Sequence, residues 1–265
     1  MSTIHPTAII DDSVKLGAHV SIGPYCCVTG NVVLGDNVVL ESHVAVTGNT
    51  TIGADTHIYP FASIGHVPQD LKFGDEEVFL EIGERNRIRE HVTMNPGTEG
   101  GGGYTRVGND GLFMATSHVA HDCNVGDNVI LANNATLGGH VSVGDFAILG
   151  GLVGVHQFCR IGAHAFIGAG SLVTEDVIPF GAATGNRAEL SGLNLVGLKR
   201  RNFERAEIHA LRGLHKALFI ESDGALMTRL ANAAQQFADS VCVQQVVEFM
   251  RVEQNRGYCT PRSRK

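Results

Sequence analysis

The sequence lacks several features that would assign it to a broad class of protein. It contains no tryptophan and no stretch of the roughly 18 apolar residues that a transmembrane helix requires. Its amino terminus lacks the basic leader and apolar core of a secretion signal. The six cysteines form no CxxC pair, which predicts reduced thiols rather than a disulfide scaffold. We therefore expect a cytoplasmic protein without a membrane span.

The chain also lacks an excess of basic residues. Its 20 lysines and arginines are outnumbered by 27 acidic residues, giving a net charge of −7. A surface of this sign does not favour binding to nucleic acid or to anionic lipid, so any basic site must be local. Apolar residues make up 43% of the chain, which is enough for a packed core.

A six-residue period of apolar residues dominates the first two thirds of the chain. It matches neither the 3.6-residue turn of an α-helix nor the alternation of an ordinary strand. It is typical of a hexapeptide β-helix, a mainly β fold in which three short strands form one coil of eighteen residues. The anchor positions are Ile4, Ile10, Leu16, Ile22, Val28, Leu34, Leu40, Val46, Ile52, Ile58, Ile64, Ile82, Ile88, Met94, Val107, Phe113, Val119, Val125, Leu131, Leu137, Val143, Leu149, Val155, Ile161, Ile167 and Val173.

The period is interrupted twice and ends near residue 186. We predict a parallel β-helix over residues 1–186, with projecting loops at 66–79 and 97–105. Residues 187–265 are predicted to form a small α-helical carboxy-terminal domain. The segment "FERAEIHALRGLHKALF" has helical periodicity, and further helices are expected around Ala225–Ala238 and Val241–Val252.

Two histidines, an aspartate and a cysteine lie close together in the segment "SHVAHDCNVG". Residues eighteen positions apart are expected to lie above one another, at the spacing of about 4.8 Å between neighbouring strands. Several polar residues should therefore gather on neighbouring coils. Counted from the anchor Val119, His118 and His121 are predicted to face away from the core, whereas Cys123 and Cys159 are predicted to be core residues. The predicted cluster is His118, His121, Asp122, Gly139, His140, His156 and Gln157.

This cluster has the composition of a general-base site. A neutral imidazole with a pKa near 6.5 can accept a proton, and the adjacent carboxylate of Asp122 can orient the ring of His121. The backbone N–H groups of "GGH" can stabilise an oxyanion. Zinc ligation by His118, His121, Asp122 and His140 is the alternative, since imidazoles are good zinc ligands, but we expect no metal.

Four further segments are distinctive: "IREHVT", "HVAHDCNVGDNVILANNATLGGHVSVGDFAILGG", "VHQFCRIGAHAFIG" and "GLKRRNF". Together they closely resemble the bacterial UDP-N-acetylglucosamine O-acyltransferase family. The resemblance implies a left-handed coil and transfer of a 3-hydroxyacyl group from acyl carrier protein to the 3-position of UDP-GlcNAc, the first step of lipid A synthesis. It also implies a homotrimer with active sites between subunits. No cofactor is expected beyond the phosphopantetheine that carries the acyl group on the carrier protein.

The resemblance also implies roles for individual residues. His121 resembles the general base, Asp122 its orienting partner and the backbone of Gly139 the oxyanion donor. Ala169 stands where the family has a glycine at the end of the acyl groove. Residues that resemble substrate contacts, or lie near the sugar nucleotide in the family, are Asp70, Lys72, Asn95, His118, His140, His156, Gln157, Asn194, Arg200 and Arg201.

The basic run "LKRR" suits a diphosphate, because guanidinium groups match its geometry, but a solvated helix face or a docking surface for the acidic carrier protein fits as well. The chain departs from the family at Asn95, where a histidine is usual, and at Val196, where a glutamate is usual. Some relatives accept a 3-amino sugar, so Asn95 leaves the acceptor atom open.

Three other readings of the chain are weaker. The sister N-acyltransferase carries an additional amino-terminal domain, whereas the hexads here begin at Ile4. A γ-type zinc carbonic anhydrase would bind zinc tightly, and a purely structural β-helix would bind no UDP-sugar.

Overall fold

Short strands account for most of the fold. The computed structural model describes residues 1–74, 76–221, 224–252 and 256–262. The strands of the first half are β1 (Thr3–Ile4), β2 (Ile9–Ile10), β3 (Lys15–Leu16), β4 (Ser21–Ile22), β5 (Cys27–Val28), β6 (Val32–Leu34), β7 (Val39–Leu40), β8 (Ala45–Val46), β9 (Asn49–Ile52), β10 (His57–Ile58), β11 (Ser63–Ile64), β12 (Phe79–Ile82), β13 (Arg87–Ile88) and β14 (Thr93–Met94).

The second half continues the same pattern and then changes to helices. Its strands are β15 (Tyr104–Val107), β16 (Leu112–Phe113), β17 (His118–Val119), β18 (Asn124–Val125), β19 (Ile130–Leu131), β20 (Thr136–Leu137), β21 (Ser142–Val143), β22 (Ile148–Leu149), β23 (Gly154–Val155), β24 (Arg160–Ile161), β25 (Phe166–Ile167), β26 (Leu172–Val173), β27 (Gly181–Thr184) and β28 (Glu189–Leu193). The helices are α1 (Leu195–Arg200), α2 (Arg205–Phe219), α3 (Leu226–Gln236) and α4 (Val241–Arg251).

The strands form three sheets that are the faces of a prism. The first sheet runs β1-β4-β7-β10-β13-β16-β19-β22-β25-β27-β28, the second runs from β2 to β26, and the third from β3 to β24. Pairing is parallel except between β27 and β28, which are antiparallel. From β1 to β26, outside the loops, each strand residue pairs with the one eighteen positions later, as in His118 with Thr136. The predicted left-handed parallel β-helix is confirmed.

The anchors of the hexad form the core. Every anchor from Ile22 to Val173 is buried, whereas Ile4 is 45% exposed because no coil lies beneath the first one. Residues next to the anchors point outward, so buried and exposed positions alternate along each strand. Stacking the coils therefore buries a continuous apolar column, which a single hexad cannot do.

The corners between the strands require an unusual backbone conformation. Many corner residues adopt the left-handed region, including Asn37, Asp55, Asp122 and His140 at φ values from 58° to 61°. Asparagine and aspartate tolerate this region better than most residues, which explains their frequency there. Asp122 and His140 are thus held by the corner geometry itself.

The loops and helices differ from the prediction in detail. The loops are shorter than predicted, since β12 begins at Phe79 and β15 at Tyr104. Helices α2, α3 and α4 agree with the predicted segments within three residues, but α1 was not predicted because six residues are too short to show a helical period. Among the residues described, no helix is long and apolar enough to cross a membrane.

The division into two domains at residue 186 stays a prediction. Strand β28 extends the first sheet to Leu193, within the range predicted as helical. The buried residues of the helices also join the hydrophobic cluster of the β-helix. Residues 222–223, 253–255 and 263–265 of the predicted helical part lie outside the described residues.

The segment after the helices returns to the β-helix. The N–H of Cys259 donates to the carbonyl of Asp176, and the N–H of Asp176 donates to the carbonyl of Gly257, both at 2.8 Å. Residues 256–260 therefore lie beside the last coil as an additional edge.

Two adjacent valines in β6 test the alternation of buried and exposed positions. Val32 is fully buried, whereas Val33 is 36% exposed. We expect Val32→Ala to destabilise the protein by about 1.5–3 kcal/mol, since it removes two buried methyl groups and leaves a cavity. Val33→Ala is the matched control and should lower the melting temperature much less. Equal melting temperatures for the two variants would contradict the inward orientation of Val32.

Candidate active site

The central feature of the site is a hydrogen-bonded histidine and aspartate at the corner between β17 and β18. Nδ1 of His121 lies 2.7 Å from Oδ2 of Asp122. Thr98 donates its N–H to Oδ1 of Asp122 at 2.8 Å and its hydroxyl to Oδ2 at 2.7 Å. Because a carboxylate only accepts hydrogen bonds, the proton of a neutral His121 lies on Nδ1. Nε2 therefore carries the lone pair that can accept a proton.

A loop covers this dyad. Although His121 and Asp122 lie outside the prism as predicted, His121 is only 8% exposed and the Asp122 side chain 1%. Thr98 contacts the carboxylate directly, and Gly101 packs so closely against it that a Cβ atom at Gly101 would overlap it. The loop thus shields the dyad from water, which strengthens its hydrogen bonds.

Gly139 lies directly above the imidazole, as the eighteen-residue stack predicts. A Cβ atom at this position would lie 2.5–2.6 Å from Cε1 and Nε2 of His121. The N–H groups on either side are occupied, since Gly138 donates to Val155 and His140 donates to His121. Within the described residues the N–H of Gly139 donates to no protein acceptor, so it is available to an oxyanion of the substrate.

Two further histidines flank the dyad in neutral form. Nδ1 of His118 lies 2.6 Å from the hydroxyl of Thr93, and the ring of His140 packs edge-on against His121 at 5.1 Å. Burial lowers the pKa of His118. Burial also lowers the pKa of His140, although the nearby carboxylate of Asp122 acts in the opposite direction. Both rings can therefore offer hydrogen bonds to a substrate at neutral pH without adding positive charge beside the base.

Three neighbouring side chains of the site carry atoms that can bind a metal ion. His121, Asp122 and His140 are the one group within the described ranges with ligand atoms spaced closely enough for an ion. However, Oδ2 of Asp122 already accepts hydrogen bonds from His121 and Thr98, which a cation would have to displace. This arrangement favours an oriented base over a metal ligand set.

The first loop brings other predicted residues to the same corner. The charge of Asp70 raises the pKa of His140 and so opposes the effect of burial. The carboxylate of Asp70 also accepts a hydrogen bond from the N–H of Lys72 at 3.0 Å. Asn95 is 5% exposed and donates through Nδ2 to the carbonyls of His66 and Val67, at the start of this loop. Its Oδ1 is buried without a partner in the described part of the chain and can accept a hydrogen bond.

Comparisons with known proteins agree with this geometry. Residues 176–259 match the family model described as Udp N-acetylglucosamine O-acyltransferase, Domain 2. The chain is 54% identical over 204 residues to the acyl-[acyl-carrier-protein]--UDP-N-acetylglucosamine O-acyltransferase of Paracoccus denitrificans (strain Pd 1222), covering 77% of each protein. It is 51% identical to the protein of the same name from Janthinobacterium sp. (strain Marseille), covering 83% of this chain and 84% of that protein.

The UDP-N-acetylglucosamine O-acyltransferase of Moraxella catarrhalis has the same fold in its crystal structure. The TM-score is 0.93 and the identity 41%, over 97% of this chain and 99% of that one. The chain belongs to the UDP-N-acetylglucosamine O-acyltransferase family. The expected family resemblance is thereby confirmed.

The predicted nucleotide contacts of this acyltransferase chain lie on a different part of the prism from the dyad. Asn194, Arg200 and Arg201 line a cavity of 490 Å³ on the outer face of the first sheet, together with Ile148 and Phe166. The dyad instead lies at the corner of the second and third sheets, so one chain does not bring the two groups together.

Two of these residues also have structural contacts. Asn194 caps α1 by accepting the N–H of Gly197 and donating to the carbonyl of His164. Arg201 donates to the carbonyl of Phe146, and burial lowers its pKa. Within the described contacts, Arg200 has no recorded side-chain partner and is the freer of the two arginines to meet a ligand.

The remaining predicted residues lie on the upper coils of the acyltransferase fold. His156 and Gln157 are exposed one coil above Gly138 and Gly139, and Ala169 is exposed at the corner between the first and second sheets. Thr98, Thr93 and Gly101 are not predicted site residues. The only available signal was the loop "GTEGGGGYT", whose many glycines suggest close approach of the backbone to another group.

Adjacent glycines in this loop test whether it shapes the dyad. A methyl group at Gly101 would overlap the carboxylate of Asp122, whereas a methyl group at Gly100 would meet no atom within 4 Å. We expect Gly101→Ala to lower kcat by at least tenfold, because a misplaced base loses catalytic geometry. Gly100→Ala should retain the rate. Equal steady-state rates for both variants would show that the loop does not position Asp122.

Proposed function

We propose that the protein transfers a 3-hydroxyacyl group from acyl carrier protein to the 3-position of UDP-N-acetylglucosamine, as the first step of lipid A synthesis. The observation that carries this proposal is the buried His121–Asp122 pair, joined at 2.7 Å, with Gly139 packed against the imidazole and its N–H without a partner in the described part of the chain. The names of the relatives at 51–54% identity support the donor and the acceptor.

The proposed reaction uses these groups in sequence. Nε2 of His121 removes the proton of the sugar 3-hydroxyl as its oxygen attacks the thioester carbonyl. The N–H of Gly139 donates to the oxyanion of the tetrahedral intermediate. Collapse of the intermediate breaks the C–S bond, and the imidazolium returns its proton to the thiolate of phosphopantetheine. Asp122 stabilises the imidazolium without itself accepting the proton.

We further propose that the active form is a homotrimer. The dyad lies at one corner of the prism, whereas Arg200 and the 490 Å³ cavity lie on the opposite sheet face. Side-by-side packing of two copies is a simple way to bring a base from one chain to a nucleotide held by another. The separation of the two groups within one chain supports this assembly.

Ala169 is proposed to limit the length of the acyl chain. It is exposed at the corner between the sheet that carries the cavity and the sheet that carries His118. Its methyl group occupies space that a glycine would leave open, so the groove should end earlier than in relatives with glycine.

A 3-amino sugar as acceptor is a second candidate, and Asn95 favours it. The buried Oδ1 of Asn95 has no partner in the described part of the chain and can only accept a hydrogen bond. A hydroxyl nucleophile has one hydrogen, which the base removes. An amine has two, so one can bond to His121 while the other bonds to Asn95, and the product would be an amide.

Replacement of His121 tests the proposed base. We expect His121→Ala to lower kcat by about 10²–10⁴-fold, the range for loss of a general base, with an unchanged melting temperature. His19→Ala, at an exposed corner far from the dyad, is the control and should retain the wild-type rate. A wild-type rate for His121→Ala would rule out the assignment, and a rate abolished by chelators would favour the metal alternative.

The acceptor atom is tested with two sugar nucleotides in parallel. Purified protein is assayed with 3-hydroxyacyl carrier proteins of increasing chain length and with either UDP-GlcNAc or its 3-amino analogue. Transfer to UDP-GlcNAc supports the ester product. Transfer to the amine alone, weakened at least tenfold by Asn95→Ala, supports the amide product, because an unmatched buried acceptor discriminates strongly.

The longest acyl chain that the protein accepts should increase in Ala169→Gly.

A further inference from the structure

The segment after the last helix reaches the candidate active site. Its residues 256–260 lie along the last coil, held by the backbone bonds of Asp176 to Gly257 and Cys259. This position places the guanidinium of Arg256 over His156 and Gln157, which precede it in the chain by 100 and 99 residues. The contact joins the end of the chain to the corner column that contains His121 and Gly139.

The guanidinium contacts both residues at once. Nε of Arg256 donates to the carbonyl of Gln157 at 3.2 Å, and Nη2 lies 2.9 Å from Nδ1 of His156. An arginine side chain can only donate hydrogen bonds. Nδ1 of His156 must therefore be the acceptor, which places the proton of the neutral ring on Nε2.

Without Arg256 the ring of His156 could adopt the other tautomer. Nδ1 of His156 lies 3.1 Å from the carbonyl of Gln157. If no cation occupied Nδ1, this nitrogen could carry the proton and donate it to that carbonyl, leaving Nε2 as an acceptor. The presence of Arg256 thus decides whether the exposed nitrogen of His156 donates or accepts.

The support beneath Arg256 is rigid. Asp176 is fully buried and accepts two bonds from Arg160, through its backbone N–H at 2.7 Å and its Nε at 2.6 Å. The backbone of Asp176 in turn holds Gly257 and Cys259 on either side of Tyr258. The residue next to Arg256 is therefore tied to a buried ion pair in the β-helix.

We propose that Arg256 is a positioning residue of the acyltransferase site, which holds His156 with Nε2–H directed outward as a donor to the acyl donor or the sugar nucleotide. This inference rests on the proposed function for the role of His156 as a substrate contact. The contact between Arg256 and His156 exists independently of it. The segment after the helices then contributes a residue to the active site, in addition to pairing with the last coil.

A double-mutant cycle tests this coupling. We expect Arg256→Gln to lower kcat/KM for the acyl donor by about tenfold to a hundredfold, the range for loss of a charge-assisted hydrogen bond. His156→Ala should cost a similar factor, and the double variant should lose no more than the larger single effect. Arg256→Lys should recover part of the rate, because an ammonium can still donate to Nδ1. Multiplicative losses in the double variant would overturn the proposal.

Two controls separate positioning from folding and charge. Arg262→Gln removes the same charge from an exposed position in the same segment and should retain the wild-type rate. The melting temperatures of all variants should agree with that of the wild type. If Arg262→Gln lost as much activity as Arg256→Gln, the effect would be one of general charge, which also overturns the proposal.

The tautomer of His156 provides a test that does not depend on activity. In protein labelled with ¹⁵N-histidine, the signals of His156 are assigned by their loss in His156→Ala. Above neutral pH we expect the Nε2–H tautomer in the wild type and a shift toward Nδ1–H in Arg256→Gln. An unchanged tautomer would overturn the inference. If the wild-type protein transferred no acyl group to either sugar, the proposed function would fail, while this measurement would still decide whether Arg256 controls His156.

Discussion

The parallel hydrogen bonding between successive coils is the constraint on which the rest of the structure depends. Outside the loops it stacks residues that are eighteen positions apart, so that the apolar anchors form one column and the corner residues form others. The backbone bonds continue through the corners, as between His140 and the carbonyl of His121. A site built on such a corner inherits the rigidity of the stacked sheets, which is what catalytic geometry requires.

The corner that holds the dyad combines this rigidity with burial. Asp122 adopts a left-handed conformation at φ 59°, its N–H donates to Thr105, and its carboxylate accepts bonds from Thr98 and His121. These bonds distribute the negative charge over several donors and hold one tautomer of His121. Gly139 and Gly101 leave space where side chains would interfere, one above the imidazole and one beside the carboxylate. The site thus depends on absent side chains as much as on those present.

One chain keeps the cavity and the dyad on different parts of the prism. The cavity with Arg200 lies on the first sheet, whereas the dyad and Asn95 lie at another corner of the prism. The buried residues of the helices belong to the same hydrophobic cluster as the core of the β-helix, and the segment after them returns to the last coil. Arg256 therefore lies on the same surface as His156 and Gln157.

The sequence by itself determined the β-helix, the burial of the anchors and the gathering of His121, Asp122, Gly139 and His140, because a strict period converts sequence distance directly into spatial distance. Only the tertiary structure decided the contacts that do not follow the period. Thr98 covers Asp122 from a loop, the buried Oδ1 of Asn95 has no partner among the residues described, and Arg256 contacts His156 from 100 residues away. Loops and helices have no repeat to set their register, so their contacts depend on where packing against the completed coils places them.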